Sequence, residues 1–333
     1  LYLFPYRKIV RESHPMGVMS SYNDYDGVPV SASYYFLTEL LRQQYGFRGY
    51  VVSDSEAVEF VHTKHRVADT PKEAVRQVVE AGLNVKTNFT PPEDFILPLR
   101  ELVREGKVSM ETLDRNVADV LRVKFQLGLF DSPYVKDTKA ADKIVASPDT
   151  KEFVKQMARE SLVLLKNEKQ LLPLRLNSLK RILVTGLLAI DTTAYVSRYG
   201  PQHIEVTNVL EGIQEYAGKQ ASVTYVKGCE VVDATWPESE IIPTPLTDAE
   251  KASIAEAVEQ ARQSDVVIAV LGEDEARCGE SKSRTGLGLP GRQLQLLQAL
   301  QETGKPVVLV LINGQPLTIN WENRYIPAIL EAW

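Results

Sequence analysis

The sequence predicts an α/β fold in which parallel sheets are covered by helices, and two observations carry that prediction. Short apolar, β-branched runs alternate with segments of helical spacing along the 333 residues, an alternation typical of parallel sheets with helices on their faces. Polar residues cluster directly after the apolar runs, where parallel α/β proteins carry their sites. At about 150 residues per domain, the length predicts two domains.

The first predicted domain covers residues 1–130. Apolar runs predict strands at 17–22, 49–53 and 83–85, and apolar side chains at helical spacing predict helices at 33–45, 71–80, 95–105 and 109–125. Gly46 and Gly128 stand where glycine ends helices. Pro71 stands in the first turn of the predicted helix 71–80, where proline is favoured. Residues 23–27 have the composition of a turn between elements.

A linker is predicted at 131–150, where Pro133, Pro148 and many Lys and Asp residues break the periodicity. The second predicted domain covers 151–333. It has helical patterns at 151–167, 249–263 and 293–303, and strand patterns at 181–186, 223–226, 266–271 and 307–312. These elements predict an open, mostly parallel sheet with helices on both faces.

Composition excludes several classes of protein. There are 38 Lys and Arg against 44 Asp and Glu, for a net charge of −6, which argues against a general nucleic-acid binder. The longest aliphatic run is 307–312, whereas a membrane span needs about 20 apolar residues. The two cysteines, Cys229 and Cys278, are too few for a disulfide scaffold and could form one bridge or none. The four histidines lack metal-ligand spacing.

Two acidic segments at strand ends are candidates for chemistry. Asp54 follows the strand 49–53, and either catalysis or capping of the next helix explains a carboxylate there. Glu56 would share a face with Asp54 only if the chain stays extended. The second segment follows the strand 266–271 and holds Glu273, Asp274, Glu275 and Glu280, with Arg277, Lys282 and Arg284 close by. The alternative interpretation is that these acidic residues lie on the solvated surface or form ion pairs with the neighbouring basic residues.

Weaker signals lie near both segments. Residues 286–291 match G-x-G-x-x-G, but charged residues precede them and Pro290 interrupts them, so the pattern favours a loop leading into a helix over a phosphate site. Tyr22 stands at the end of a predicted strand, where it is either a residue of the binding pocket or an aromatic residue at its rim. His62 and His65 could line the pocket of Asp54, although ordinary loop histidines are the favoured interpretation.

Several stretches together resemble glycoside hydrolase family 3. Residues 19–29 are similar to the family's M-S-x-Y-N-x-x-x-G-x-P, and residues 46–54 to the G-F-x-G-x-x-x-S-D segment that ends in the nucleophile. The stretches 122–131, 158–174, 279–293 and 305–314 resemble further family segments. The resemblance spans nearly the whole chain, so it is specific.

The resemblance implies the C-terminal part of a (β/α)8-type barrel followed by an α/β sandwich. It implies a retaining exo-β-glycosidase with Asp54 as nucleophile and Glu280 as general acid/base, brought together by domain docking. Met19, Tyr22 and Ser55 are the residues expected to bind the sugar. In such enzymes the carboxyl groups lie about 5–5.5 Å apart, and their surroundings hold the two pKa values apart. No metal or organic cofactor is expected.

Departures from the family pattern leave the substrate open. Ser55 stands where the family often has Trp, and the early barrel strands with further sugar-binding residues are absent from this chain. The expected substrate is an oligosaccharide or aryl glycoside with a terminal β-glucosyl residue, the alternatives being a β-xylosidase or a non-catalytic carbohydrate-binding relative. N-acetylhexosaminidase and nucleotide-dependent activity are weaker options. Polysaccharide breakdown implies a periplasmic or secreted location, and an oligomer is not predictable from the sequence.

Overall fold

The structure is a computed structural model, and it describes residues 2–87, 89–145, 147–193, 199–200, 206–232, 244–280, 282–284 and 286–333. Two units divide the chain, Leu1–Ala141 and Asp142–Trp333. No helix among the described residues is long and apolar enough to cross a membrane.

The first unit is built on parallel strands. Its elements begin with helix α1 (Leu3–Ser13), strand β1 (Gly17–Ser20), the short hairpin β2 (Asp24–Tyr25) and β3 (Val28–Pro29), a π-helix (Tyr35–Gln44) and strand β4 (Tyr50–Ser53). Strand β1 pairs with β4 in parallel, from Gly17 opposite Tyr50 to Ser20 opposite Ser53. The predicted third strand is reduced to a single parallel bridge between Val85 and Val52.

Helices pack against these strands, and α3, α4 and α5 lie where the sequence predicts them. The helices of this unit are α2 (Ala57–Thr63), α3 (Pro71–Ala81), α4 (Glu93–Arg104) and α5 (Met110–Gln126), and α6 (Thr138–Val145) spans the boundary between the two units. Thr70 and Ser109 cap α3 and α5 through side-chain oxygens, which satisfies N–H groups that a helix start leaves without partners. The predicted helix at 33–45 is a π-helix instead, in which Tyr45 N–H donates to Leu40 O, five residues earlier.

A buried polar network joins the π-helix to α5. The guanidinium of Arg42 lies 2.9 Å from Asp119 Oδ2, and the two side chains are 14% and 10% exposed. Arg42 also donates to Asn84 Oδ1 at 2.7 Å and to Gly49 O at 3.0 Å, while Arg122 donates to Asp119 Oδ1. Burial lowers the pKa of Arg42 and the Asp119 carboxylate opposes that effect, so this carboxylate stabilises the buried charge.

The second unit is an α/β layer around one six-stranded sheet. Its elements are α7 (Pro148–Ser161), β5 (Val163–Asn167), β6 (Arg181–Thr185), α8 (Val209–Ala217), β7 (Ser222–Val226), α9 (Asp248–Gln263), β8 (Val266–Gly272), α10 (Gln293–Gln301), β9 (Val307–Ile312), α11 (Asn320–Tyr325) and β10 (Ala328–Glu331). The strand order is β5-β10-β9-β8-β6-β7. Only β5 among these strands is antiparallel to its neighbour.

Alternate residues of the central strands pack on opposite faces of the sheet. In β8, Val267, Ala269 and Leu271 belong to one buried cluster with residues of α9 and α10. Val266, Ile268 and Val270 belong to a second cluster, together with Ala217 of α8. Because side chains alternate along a strand, the two clusters lie on the two faces, and the expected α/β fold with helices on both faces is confirmed.

One prediction about local structure is wrong. Residues 163–167 form strand β5 rather than the end of a helix, because they pair with β10 at the edge of the sheet, a long-range contact that helical spacing does not reveal. The predicted linker, 131–150, holds α6 and the start of α7, which Ser147 caps through its side chain. The elements α1, α2, α8, α11 and β10 were not predicted.

Candidate active site

Asp54 lies directly after β4, beside the end of β1. Its backbone N–H donates to Ser20 O at 3.0 Å, and Ser53 N–H donates to Val85 O at 2.8 Å. The Asp54 bond continues the pairing of β4 with β1 one residue past the end of β4, and the Ser53 bond joins the last residue of β4 to Val85. The half-buried Asp54 therefore lies at the carboxyl ends of the strands, the edge where parallel α/β proteins place catalytic groups.

The helix that follows does not use Asp54 as its cap. Asp54 Oδ1 accepts from the N–H of Ser55 at 2.7 Å, and α2 begins only at Ala57. Glu56 precedes that helix in the left-handed region, at φ 60°, and makes no side-chain cap. The chain thus turns after Asp54, so the exposed Glu56 does not continue the face of the strand. Helix capping, the alternative explanation for Asp54, is excluded.

Three further residues were expected to bind sugar. Tyr22 lies just beyond the end of β1, with its ring edge-on to Phe60 at 5.8 Å between centroids. Met19 is on β1 with a 60% exposed side chain. Ser55 is half-buried after Asp54. All three lie near the same strand ends as Asp54, in the first unit.

The backbone at Tyr22 is held by His65, which the sequence analysis named as a candidate pocket residue, and the preceding residues are held by Ser31, which it did not name. His65 Nε2 donates to Tyr22 O at 2.7 Å. Ser31, which is fully buried, donates to Ser21 O at 3.0 Å and lies 2.9 Å from Ser20 Oγ. His65 therefore positions the segment after β1. His62, by contrast, contacts Ala68 O at 2.8 Å through Nδ1, the expected behaviour of a loop histidine.

Residues 86–88 are polar and follow directly after the predicted strand at 83–85. The Lys86 ammonium pairs with Glu59, and its side chain is only 8% exposed. Thr87 N–H donates to Ser53 Oγ at 3.0 Å, while Asn88 lies outside the described residues. A nearby cavity of about 640 Å³ has mostly apolar walls, and Asp54 is not among the residues that line it. This cluster supports the strand ends and one wall of an apolar cavity.

Glu280 lies in the second unit, on the loop that follows β8. Its side chain is exposed, and the Tyr199 hydroxyl donates to Glu280 Oε2. Tyr199 was not predicted, and no motif around it signals the contact. The exposed position of Glu280 contrasts with that of Glu273 on the same loop, whose side chain is fully buried against Arg284. Ion pairing with Arg284 therefore explains the buried carboxylate of Glu273.

The glycine-rich segment 286–291 binds the Arg284 side chain through its backbone carbonyl groups. Arg284 donates to Gly286 O at 2.9 Å through Nε and to Gly288 O at 2.5 Å through a terminal guanidinium nitrogen. Pro290 and Gly291 are buried and lead into α10. The carbonyl groups of this segment therefore accept hydrogen bonds from a cationic side chain. The segment is a loop that leads into α10, which is the interpretation that the sequence favoured.

The two cysteines are free thiols. Burial raises the pKa of the Cys229 thiol to about 12. Burial, and then the hydrogen bond to Glu273, raise the pKa of the Cys278 thiol to about 11. Both groups are protonated at neutral pH, so neither is an activated nucleophile. Among the described residues, no group of three or more His, Cys, Asp or Glu could hold a metal ion.

Family models match both parts of the chain. The N-terminal domain of glycosyl hydrolase family 3 matches residues 1–123, and the C-terminal domain of that family matches residues 162–333. The chain belongs to glycoside hydrolase family 3. Asp54 lies in the segment matched by the N-terminal domain model, and Glu280 in the segment matched by the C-terminal domain model.

Two curated relatives resemble the chain over its whole length. A periplasmic β-glucosidase of Salmonella typhimurium is 36% identical over 346 residues, which cover 100% of this chain and 44% of that protein. A β-xylosidase of Formosa agariphila is 31% identical over 344 residues, covering 100% of this chain and 45% of that protein. The chain therefore spans less than half the length of these relatives.

Solved structures of glycosidases share the fold. A β-glucosidase from Erythrobacter marinus superposes with a TM-score of 0.87 at 33% identity, over 99% of this chain and 45% of that one. An exo-β-xylosidase in complex with a xylobiose aziridine probe superposes with a TM-score of 0.83 at 26% identity, over 98% of this chain and 40% of that one. These likenesses agree with the barrel-derived and sandwich parts that the sequence implied.

Proposed function

We propose that this chain carries the two catalytic carboxyl groups of a retaining, exo-acting β-glycosidase that hydrolyses terminal β-D-glucosyl residues. The observation that supports the proposal best is the position of Asp54. It is a half-buried carboxylate directly after β4 that caps no helix, and its backbone N–H donates to Ser20 O at the end of β1. Membership of glycoside hydrolase family 3 supplies the reaction class.

In the first step, Asp54 attacks the anomeric carbon while the bond to the leaving oxygen breaks, and Glu280 donates its proton to that oxygen. The product is a glycosyl ester of Asp54. In the second step, Glu280 removes a proton from water, water oxygen bonds to the anomeric carbon, and the ester bond to Asp54 breaks. Both carboxyl groups return to their starting states, and no cofactor is consumed.

Tyr22, Met19 and Ser55 are proposed to contact the sugar. Tyr22 presents an aromatic ring braced by Phe60, and its backbone is fixed by His65. Met19 supplies an exposed apolar side chain on β1. Ser55 replaces a flat aromatic surface with a hydroxyl, so stacking on the sugar has to come from other side chains.

The second candidate substrate is a β-D-xyloside. Two observations favour it: the β-xylosidase of Formosa agariphila matches the whole chain at 31% identity, and the exo-β-xylosidase structure superposes on 98% of it. A xylosyl unit lacks the hydroxymethyl group of a glucosyl unit, so residues around that group decide between the two.

The test is a turnover panel on the intact protein, with aryl β-glucoside, β-xyloside and N-acetyl-β-glucosaminide. Asp54→Ala should reduce turnover by at least about 10⁴-fold, because no covalent intermediate can form. Glu56→Ala is the matched control, since it removes an exposed carboxylate two residues away, and it should retain turnover. Proton NMR of the first product formed should show the β anomer, as retention requires.

Glu280→Ala should reduce turnover by about 10²–10⁴-fold for poor leaving groups and far less for dinitrophenolate, which needs no proton. Azide, an anionic nucleophile, should restore turnover of the activated substrate as a glycosyl azide. Glu275→Ala removes an exposed carboxylate of the same loop and serves as the control. Equal losses for all leaving groups would assign the acid/base role to another residue.

A further inference from the structure

One buried carboxylate, that of Glu273, lies at the base of the loop that carries Glu280. The Glu273 backbone N–H donates to Ile312 O at 2.8 Å, which extends the pairing of β8 with β9 by one residue. The side chain is 0% exposed, and that of its partner Arg284 is 3% exposed. The position of this carboxylate is therefore set by the central strands of the sheet.

The two oxygens of Glu273 bind both flanks of the loop. Oε1 accepts from Arg284, four residues after Glu280. Oε2 accepts from Cys278 Sγ at 2.9 Å, two residues before Glu280, and from Gln315 N–H at 3.3 Å. We call Glu273 with these three partners the Glu273 clamp. Both flanks of Glu280, at Cys278 and at Arg284, are consequently anchored by the same carboxylate.

The clamp also fastens the loop to the chain after β9. Gly314 N–H donates to Cys278 Sγ at 3.3 Å, and Gln315 Nε2 donates to Arg277 O at 3.0 Å. A Cβ at position 314 would lie 3.3 Å from Cys278 Cβ, so the two segments are in close contact. Cys278 thus both donates and accepts, which a protonated thiol can do.

Stability alone does not account for such an arrangement. A buried ion pair gains little over apolar side chains of similar size, because taking both charges out of water is costly. What a fully hydrogen-bonded buried pair provides is a single geometry for the segments it joins. Here those segments are the two flanks of Glu280.

We propose that Glu273 is a positioning residue, which holds Glu280 where it can protonate the leaving group of the substrate. This inference rests on the proposed function, since it assumes that Glu280 is the acid/base. Misplacing a general acid by about 1 Å costs about 10²-fold in rate. That loss falls only on substrates whose leaving group needs the proton.

The experiment is Glu273→Gln in the intact protein, assayed with aryl and alkyl β-glycosides of graded leaving-group pKa. A 2,4-dinitrophenyl 2-deoxy-2-fluoroglycoside titrates the active sites, so rates are expressed per competent molecule. We expect kcat/KM per titrated site to fall about 10²-fold for alkyl leaving groups and less than about 3-fold for dinitrophenolate. A purely structural role would lower the titrated fraction without changing the dependence on leaving group.

Two further sets of variants separate position from stability. Glu250→Gln removes the carboxylate paired with Arg292, whose side chain is 6% exposed, and should leave the leaving-group dependence unchanged. Should Glu273→Gln not fold, Cys278→Ala tests the same clamp without stranding a charge. It should lose about 10-fold on alkyl leaving groups, and Cys278→Ser, which restores a donor to Glu273, should recover the rate.

The outcomes distinguish the inference from the proposed function. A wild-type protein that neither turns over substrate nor is labelled by the fluoroglycoside refutes the proposed function, and this inference with it. An active protein in which Glu280→Ala shows the leaving-group signature, while Glu273→Gln and Cys278→Ala show equal losses for all leaving groups, refutes the positioning role alone.

Discussion

Removing the carboxylate of Asp119 should destabilise the first unit, because it strands the buried charge of Arg42. The guanidinium keeps its hydrogen bonds to Asn84 and Gly49 but loses the charge 2.9 Å away. Breaking a buried pair costs about 3–5 kcal/mol. The side chains are 14% and 10% exposed, so we expect the lower end, about 3 kcal/mol, for Asp119→Ala.

The assay must observe the first unit by itself. All three tryptophans lie in the second unit, at 236, 321 and 333, so fluorescence does not serve. Amide hydrogen exchange of peptides from 49–53 and 82–86, measured by mass spectrometry, follows the amides beside the network. A loss of about 3 kcal/mol should accelerate their exchange by about 10²-fold.

A double-mutant cycle identifies the cause of that loss. Arg42→Met removes the buried charge, so a further Asp119→Ala should then cost only about 1 kcal/mol. The coupling between the two sites is expected to be about 2 kcal/mol. Additive effects, or exchange that stays within about threefold of wild type in Asp119→Ala, would show that solvent already screens Arg42 and would refute the reasoning.

Two other predictions concern the second unit. Leu297→Ala should lower its unfolding free energy by about 2–5 kcal/mol, since the side chain is 0% exposed; urea unfolding followed by tryptophan fluorescence measures it, and Leu287→Ala, at a 52% exposed position, should change little. Carbamidomethylation of native Cys278 should rise about tenfold per pH unit from pH 8 to 10, because the thiol pKa is raised from 9.0 to about 11. The raised thiol pKa also stabilises the folded protein below about pH 9, and this contribution is lost as the pH rises toward 11. An alkylation rate that levels off near pH 9 would contradict the raised pKa of Cys278.

Much of the sheet and the positions of the candidate carboxylates could be predicted from the sequence. The runs at 50–53, 266–272 and 307–312 are apolar and rich in β-branched residues. Strands of a parallel sheet that helices cover on both faces have this composition, because both of their faces are buried. The order of strand, polar cluster and helix then places Asp54 and the acids 273–280 after strands without knowledge of the fold. Helix-start signals such as Pro71 are also local, and α3 begins at that residue as predicted.

Contacts between distant residues decided the rest. Strand β5 exists because β10 pairs with it, although its sequence continues a helical pattern. Glu56 parts from Asp54 because the backbone adopts φ 60° at that residue. Among the acids after β8, sequence alone cannot distinguish the buried Glu273 from the exposed Glu280, because burial there depends on Arg284 and on the end of β9.

The sequence by itself determined the family, the α/β class and the two carboxyl groups to examine, because strand patterns and motifs are local properties of the chain. Only the tertiary structure decided that Glu273 is buried and clamped, whereas Glu280 on the same loop is exposed. Hydrogen bonds from Ser31, His65 and Gln315 come from segments that a motif does not include. The geometry of a buried polar group follows from all of its partners, and those partners are brought together only by folding.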